Sequence, residues 1–174
     1  MLSLAAIELA PELQTLERNQ ILIIGSVTLA VYKDLAGIPA NQHHVHIDDL
    51  DLSVPKPVFE TLDRVAKDKP DILPGEDTWV RNGYHGVYTV RHNVVVPQLN
   101  RPVQLDIGTG ANGWTHEELL DSALTYKGYS VIDPHTQLTW YEALNRKKDQ
   151  TKIGILRSAI IPALDGLIER GGSE

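Results

Sequence analysis

Two acid-bearing segments constrain this chain more than any other feature: Asp49-Leu50-Asp51-Leu52 and Val103-Gln104-Leu105-Asp106-Ile107. Each alternates apolar and polar residues, the pattern of a strand with one buried face. In the first, Leu50 and Leu52 turn to a core while Asp49 and Asp51 turn together to the other side. In the second, Val103, Leu105 and Ile107 take the core side, and Asp106 shares the polar side with Gln104. Pairing of the two strands in register brings three carboxylates onto one patch with no basic residue between them. Such a patch repels itself unless cations occupy it. An all-oxygen site suits hard divalent ions, Mg2+ (or Mn2+) above all, which commonly work on phosphate-bearing substrates.

A third element lies upstream. Ile21-Leu22-Ile23-Ile24 is a short apolar run that ends at Gly25-Ser26 and opens the apolar-periodic stretch from Val27 to Tyr32. That order reads as strand, tight turn and helix N-terminus. The first N–H groups of a helix are unpaired and its dipole is positive there, so the turn suits an anion. Gly25 permits close backbone approach and Ser26 adds a hydroxyl. Alone, Gly-Ser is an ordinary structural turn; its weight comes from the aspartates that follow.

Gly25-Ser26, a helix, Asp49-x-Asp51 and a lone strand aspartate at Asp106 together resemble the nucleotidyltransferase fold of the DNA polymerase beta superfamily. Within it the chain is similar to small bacterial AbiEii-type toxins and antibiotic nucleotidyltransferases. The late stretch Arg146-Lys147-Lys148-Asp149 resembles their "R-x-K-D" helix, and the likeness spans roughly residues 20 to 160. The resemblance implies an α+β fold: a central mixed sheet with helices packed on one face, an open acidic face and C-terminal helices. It also implies transfer of a nucleoside monophosphate from an NTP such as ATP to an acceptor, which could be tRNA, a protein or a small molecule. Asp49, Asp51 and Asp106 would then be the catalytic metal ligands, holding two Mg2+ ions about 3.5–4 Å apart. Gly25, Ser26 and Lys148 would bind the nucleotide, and Asp106 would serve the acceptor and take up its proton. A toxin-like role implies a cognate antitoxin or a second copy of the chain as partner.

The chain departs from that pattern at three places. Val45 and Ile47 stand where these relatives carry a basic residue and a Ser or Thr. Lys152 stands where they often have another aspartate, and Tyr141 lies near the place of a common helical lysine. These departures motivate a second expectation, a nucleotide- or partner-binding module that kept the fold and lost catalysis.

A third expectation comes from His43, His44 and His46 with Asp48. His44-Val-His46-Ile-Asp48-Asp49 resembles the H-x-H-x-D-H zinc motif of metallo-β-lactamase-type hydrolases, with Asp49 in place of the final histidine. Imidazoles suit zinc, yet that fold needs more chain and further distant ligands, so a surface histidine loop is the default. Lys147 and Lys148 with Arg146 are, by the same standard, a solvated helix face unless the resemblance turns them inward. The loop Gly108 to Gly113 lacks the G-x-G-x-x-G spacing and reads as a mobile connection.

Composition sets the frame. At 174 residues with 42% hydrophobic and 22% charged residues, the chain is expected to form one soluble domain spanning residues 1–174. A net charge of -7 and a pI near 5.4 argue against a broad nucleic-acid footprint. Without cysteine there are no disulfides, thiolate metal sites or cysteine nucleophiles. With no basic n-region and no long apolar run, a cytoplasmic location away from membranes is expected.

The remaining elements follow from periodicity and punctuation. Leu4, Ile7, Leu13 and Leu16 predict one amphipathic first helix. Pro55 and Pro57 end the acidic strand and open a helix carrying Val58, Leu62 and Val65. Trp79 to Arg81 and Val87 to Arg91 read as strands about Asn82-Gly83. Thr115 and Glu118 form a capping box, and Tyr129 to Ile132 is a short strand. From Pro134 the chain reads helix, basic break and a last helix with Ile153, Leu156, Ile160, Leu164 and Leu167 as its apolar stripe.

Overall fold

A computed structural model describes residues 4–43, 47, 49–66, 80–84, 87–97, 99 and 102–171. The acidic strand β2 (Asp49–Ser53) lies near the centre of a seven-stranded mixed sheet of order β3-β4-β5-β2-β1-β7-β6. The others are β1 (Leu22–Ile24), β3 (Val80–Tyr84), β4 (Val87–Val94), β5 (Val103–Gly108), β6 (Leu124–Tyr126) and β7 (Tyr129–Val131). β5 runs parallel to β2, whereas β1 and β4 flank this pair antiparallel.

Register decides which residues share a face, because directly opposed residues project to the same side. Asp51 sits opposite both Asp106 on β5 and Ile24 on β1, and Asp49 opposite Gln104. The three aspartates therefore stand on one face. Leu50, Leu52, Leu105 and Ile107 project from the other and are fully buried, each worth about 1.5–3 kcal/mol relative to exposure. They join the main core with helix α2 (Val27–Leu35), which supplies Val27, Leu29, Val31 and Tyr32. α3 (Lys56–Ala66) adds Leu62 and Ala66, and the segment α1 (Ala5–Leu9) adds Ala6 and Ile7.

The acidic face is covered at one end. There Leu22, Ile24 and Ile132 pack with Leu119 of α4 (His116–Asp121), supported by Trp114 and Trp140. Across β2 this apolar cover gives way to Ser53, Asp51 and Asp49. The chain then closes with α5 (Pro134–Leu144), a 3-10 turn (Lys147–Asp149), α6 (Gln150–Ile155), a π turn (Leu156–Ile160) and α7 (Ile161–Gly171). Leu156 and Ile160 of the expected apolar stripe are fully buried.

Three local expectations change, and one strand, β6, was not foreseen. The first amphipathic helix is broken: α1 ends at Leu9 and a 3-10 turn occupies Pro11–Thr15, because Pro11 has no N–H to continue the ladder. Asn82-Gly83 is not the turn of its hairpin, since pairing continues through Asn82↔Thr89 and Gly83↔Tyr88 to Tyr84↔Val87. β6 pairs antiparallel with β7 across Lys127 and Gly128, both at positive φ, the backbone of a two-residue hairpin turn. Finally, the loop after β5 is tied down: Gly110 N–H donates to Ser53 Oγ at 2.8 Å, and Ala111 bridges Trp114.

Candidate functional site

One oxygen from each of Asp49, Asp51 and Asp106 lies within 4.8 Å of the others. β2 supplies two of these carboxylates because residues two apart on a strand share a face, and β5 supplies the third across the parallel pair. Asp49 and Asp51 are half-buried and Asp106 is buried. Desolvation first, then the neighbouring charges of Asp49 and Asp106, push the Asp51 carboxyl up to about 8. Lys152 and Arg146 act in the opposite direction on it. A purely oxygen donor set with excess negative charge fits a hard divalent cation.

The Gly25-Ser26 turn lies directly on this cluster. Gly25 has φ +72, and a Cβ placed there would come within 1.9 Å of Asp51 Oδ2. Only glycine lets the backbone pass so close to the carboxylate in that conformation. Ser26 precedes the first turn of α2, where Thr28 N–H donates to Gly25 O at 3.4 Å and Leu29 N–H to Ser26 O at 3.3 Å, and where the helix dipole is positive. The turn thus sets an anion-attracting helix end beside a cation-attracting carboxylate group.

Basic residues surround it in an arrangement the strands alone do not reveal. Lys152 Nζ donates to Ser26 Oγ at 2.7 Å and to Asp149 Oδ1 at 3.2 Å. Its ammonium also sits 5.3 Å from the centre of the Tyr141 ring. Arg146 Nε donates to Asp149 Oδ2 at 2.5 Å. Asp149 is fully buried, so its two ion pairs hold both cations in place on the side of Ser26 and Asp51. Of the late motif, Arg146 and Asp149 join this network, while Lys148 is exposed on its 3-10 turn.

The patch was expected to hold no basic residue, and this is corrected by Arg91. Arg91 on β4 is the register partner of Asp106. Its Nε donates to Oδ1 at 2.7 Å and its terminal nitrogen to Oδ2 at 2.9 Å. Gln104 Nε2 adds a bond to Oδ2 at 3.2 Å. Both oxygens of Asp106 are therefore engaged by a guanidinium, and hydrogen bonding to Asp106 raises the Arg91 pKa further. Asp106 is a paired carboxylate, not one held ready as a base.

Two buried donors on α5 complete the surroundings. Gln137 accepts from Gly25 N–H through Oε1 at 3.2 Å, while its Nε2 has no partner among the described residues. The hydroxyl of Tyr141, a residue only 1% exposed, makes no close hydrogen bond and interacts with the Ser26 side chain. Burial chiefly, then the charges of Asp51 and Asp149, push that hydroxyl well above the usual tyrosine range. It remains a donor at any physiological pH. A buried donor without a partner, as at Gln137 Nε2, is costly to the fold.

His43 is described and exposed, with a positive φ. His44, His46 and Asp48 lie outside the described residues, and so does the zinc motif they would form. No helix among the described residues is long and apolar enough to cross a membrane. Comparison with protein-family models, with curated proteins and with solved structures finds no match.

Sequence reasoning placed the three aspartates and the Gly-Ser turn where they meet. It missed Arg91 and Gln137, and it treated Lys152 and Tyr141 only as departures. The alternation Val90-Arg91-His92-Asn93-Val94 does put Arg91 on a polar face. Which strand that face adjoins depends on pairing that a single sequence does not encode locally.

Proposed function

We propose that this protein is a Mg2+ (or Mn2+)-dependent nucleotidyltransferase that moves a nucleoside monophosphate from an NTP to an acceptor hydroxyl or phosphate. The observation that carries the reading is the meeting of three carboxylates with a glycine-serine helix start, whose Ser26 hydroxyl holds the Lys152 ammonium. Carboxylates alone could be a solvated patch, and a helix start alone could be a turn. Their contact through Gly25 and Asp51 juxtaposes a cation site and an anion site, which is the charge pattern of a metal–polyphosphate ligand.

In this reading Asp49 and Asp51 hold the ion, which when bound supplies Lewis-acid polarisation of a phosphate oxygen. Ser26 and the positive end of the α2 dipole receive the outer phosphates, with Lys152 and Arg146 balancing their charge. Gln137 holds the Gly25 N–H through Oε1, and the Tyr141 ring lies under the Lys152 ammonium, so both side chains keep the turn and its cation in place. Asp149 orients both cations. The acceptor oxygen forms a bond to the α-phosphorus as the bond to the bridging oxygen breaks. Pyrophosphate leaves with that electron pair, and the acceptor proton passes to solvent or base.

The Arg91 fork on Asp106 favours a second reading, a nucleotide-binding module without turnover, because it neutralises the carboxylate nearest the acceptor side. Calorimetry of ATP binding with and without Mg2+ tests the shared part of both readings. Mg2+ should strengthen ATP binding to the wild type and have little effect on Asp49→Ala. Equal Mg2+ dependence in the two proteins would remove Asp49 from the site. Nucleotide binding with no product under any acceptor condition would select the second reading.

A further inference from the structure

Ser53 carries a hydrogen-bond chain that takes no part in the metal reading. It is fully buried on β2, two residues beyond Asp51 and on the same face. Its Oγ accepts from Gly110 N–H at 2.8 Å and lies 3.0 Å from Nδ1 of His116. His116 opens α4 and is 1% exposed. One hydroxyl thus ties two pieces of chain to β2: the loop that follows Asp106 on β5, and the helix that covers one end of the acidic face.

The direction of the bond at His116 follows from its other nitrogen. Nε2 makes no close hydrogen bond and interacts with the Gln20 backbone. Gln20 N–H is already given to Glu17 O at 2.9 Å, so the Gln20 carbonyl is the group that meets the ring, and it calls for a proton on Nε2. Nδ1 is then the acceptor and takes the Ser53 hydroxyl. A proton added at Nδ1 turns that acceptor into a donor, strands the Ser53 O–H and places a charge in a buried position. The elements packed about α4 do little to offset such a charge. β1 presents Leu22 and Ile24, and the turn Arg18–Gln20 holds Arg18 paired to Glu8. On β2 the Asp51 carboxyl is pushed up to about 8, so below that it brings no negative charge. On α4 itself Glu118 is engaged by Thr115, Asp121 lies at the far end, and Glu117 is the acid that acts on the ring. Burial is the largest influence and holds the imidazole below the usual histidine range, against Glu117 and the Gln20 backbone.

We infer that His116 is an acid-sensitive latch: neutral, it accepts from Ser53 and holds α4 and the loop after β5 on β2, and protonated, it releases that cover from the acidic face. The latch is independent of metal and of nucleotide. In the open form the imidazole is solvated and titrates near about 6.5. The cover is therefore held fully above that pH and less firmly as pH falls below it, because the open form gains a proton that the closed form refuses. Asp51 titrates in the opposite sense, becoming costly as pH rises, so the two groups are told apart by the direction of the effect.

The test is amide hydrogen exchange of the metal-free full chain at about pH 7.5 and about pH 5, each rate divided by the intrinsic rate at that pH. Amides of α4 and of residues 110–115 should open at least about threefold more at the lower pH, while those of β2 keep their protection. His116→Asn puts an amide oxygen where Nδ1 stands and cannot titrate, so its α4 should open equally at both pH values. Wild-type α4 opening that does not rise, or that rises equally in β2, would overturn the latch, and so would an equal rise in His116→Asn. If His116→Asn does not fold, judged by far-ultraviolet circular dichroism, nuclear magnetic resonance of the wild-type His116 ring decides. Ring protonation that tracks the opening of α4 supports the latch, and opening while the ring stays neutral overturns it.

Discussion

Gly25 is the residue with the least freedom to change. A methyl group there meets Asp51 Oδ2 at 1.9 Å on a backbone at φ +72. Gly25→Ala should destabilise the protein by about 1–3 kcal/mol in chemical denaturation and abolish Mg2+-dependent ATP binding as Asp51 is displaced. Asp51 makes a prediction about pH. Its native carboxyl titrates at about 8, far above an unfolded aspartate near 3.9. Between those values the native chain keeps a proton that the unfolded chain has released, so stability is full below the lower value and falls as pH rises to the upper one. The metal-free melting temperature should decline from pH 5 to about pH 8.5, whereas Asp51→Asn should flatten the decline and melt higher at the alkaline end. A third comparison concerns the cations. Lys152→Ala should weaken ATP binding about tenfold or more, having removed an ammonium from Ser26, and exposed Lys148→Ala should weaken it less.

Among the elements, α5 carries the most consequence for the site because Gln137 and Tyr141 both stand on it. Its N-cap is Asp133, whose Oδ1 accepts from His135 N–H at 2.9 Å and Thr136 N–H at 3.0 Å. Asp133→Ala should cost about 1 kcal/mol in denaturant unfolding, and by loosening the first turn it should also weaken ATP binding. Elements whose signals are local were legible in the sequence. Thr115 and Glu118 do form the reciprocal capping box of α4, and α3 opens at Lys56 after Pro55. The alternation of Asp49 to Leu52 places each side chain on its expected face. Elements decided by competition were not legible. Pro11 sits within an apolar period that otherwise favours one helix, and the missing N–H wins. β6 escaped notice because Lys127, unlike asparagine or glycine, gives no hint of the positive φ it adopts.

At the scale of the molecule, the site is assembled from contacts far apart in sequence. Lys152 reaches Ser26 across 126 positions and Gly25 reaches Gln137 across 112. Two-residue periodicity on β2 and β5 gave the face of each aspartate, and their convergence followed once the two strands pair in register. Nothing in that periodicity says that β4 joins β5, so Arg91 stayed hidden although its own strand alternates as plainly. The mixed α+β sheet was expected from the resemblance, while the partial covering of its acidic face by α4 depends on where a six-residue helix lands. The account stands or falls on which phosphorus is transferred. The direct measurement incubates the protein with Mg2+ and a cell extract in parallel with α-labelled and γ-labelled forms of each NTP, and follows label on macromolecules and metabolites. The account predicts that, above an extract-only control, wild-type protein adds α-label to an acceptor and adds no γ-label to it, and that Asp51→Asn adds neither. γ-label added to an acceptor above that control, or equal α-labelling by Asp51→Asn, would contradict it.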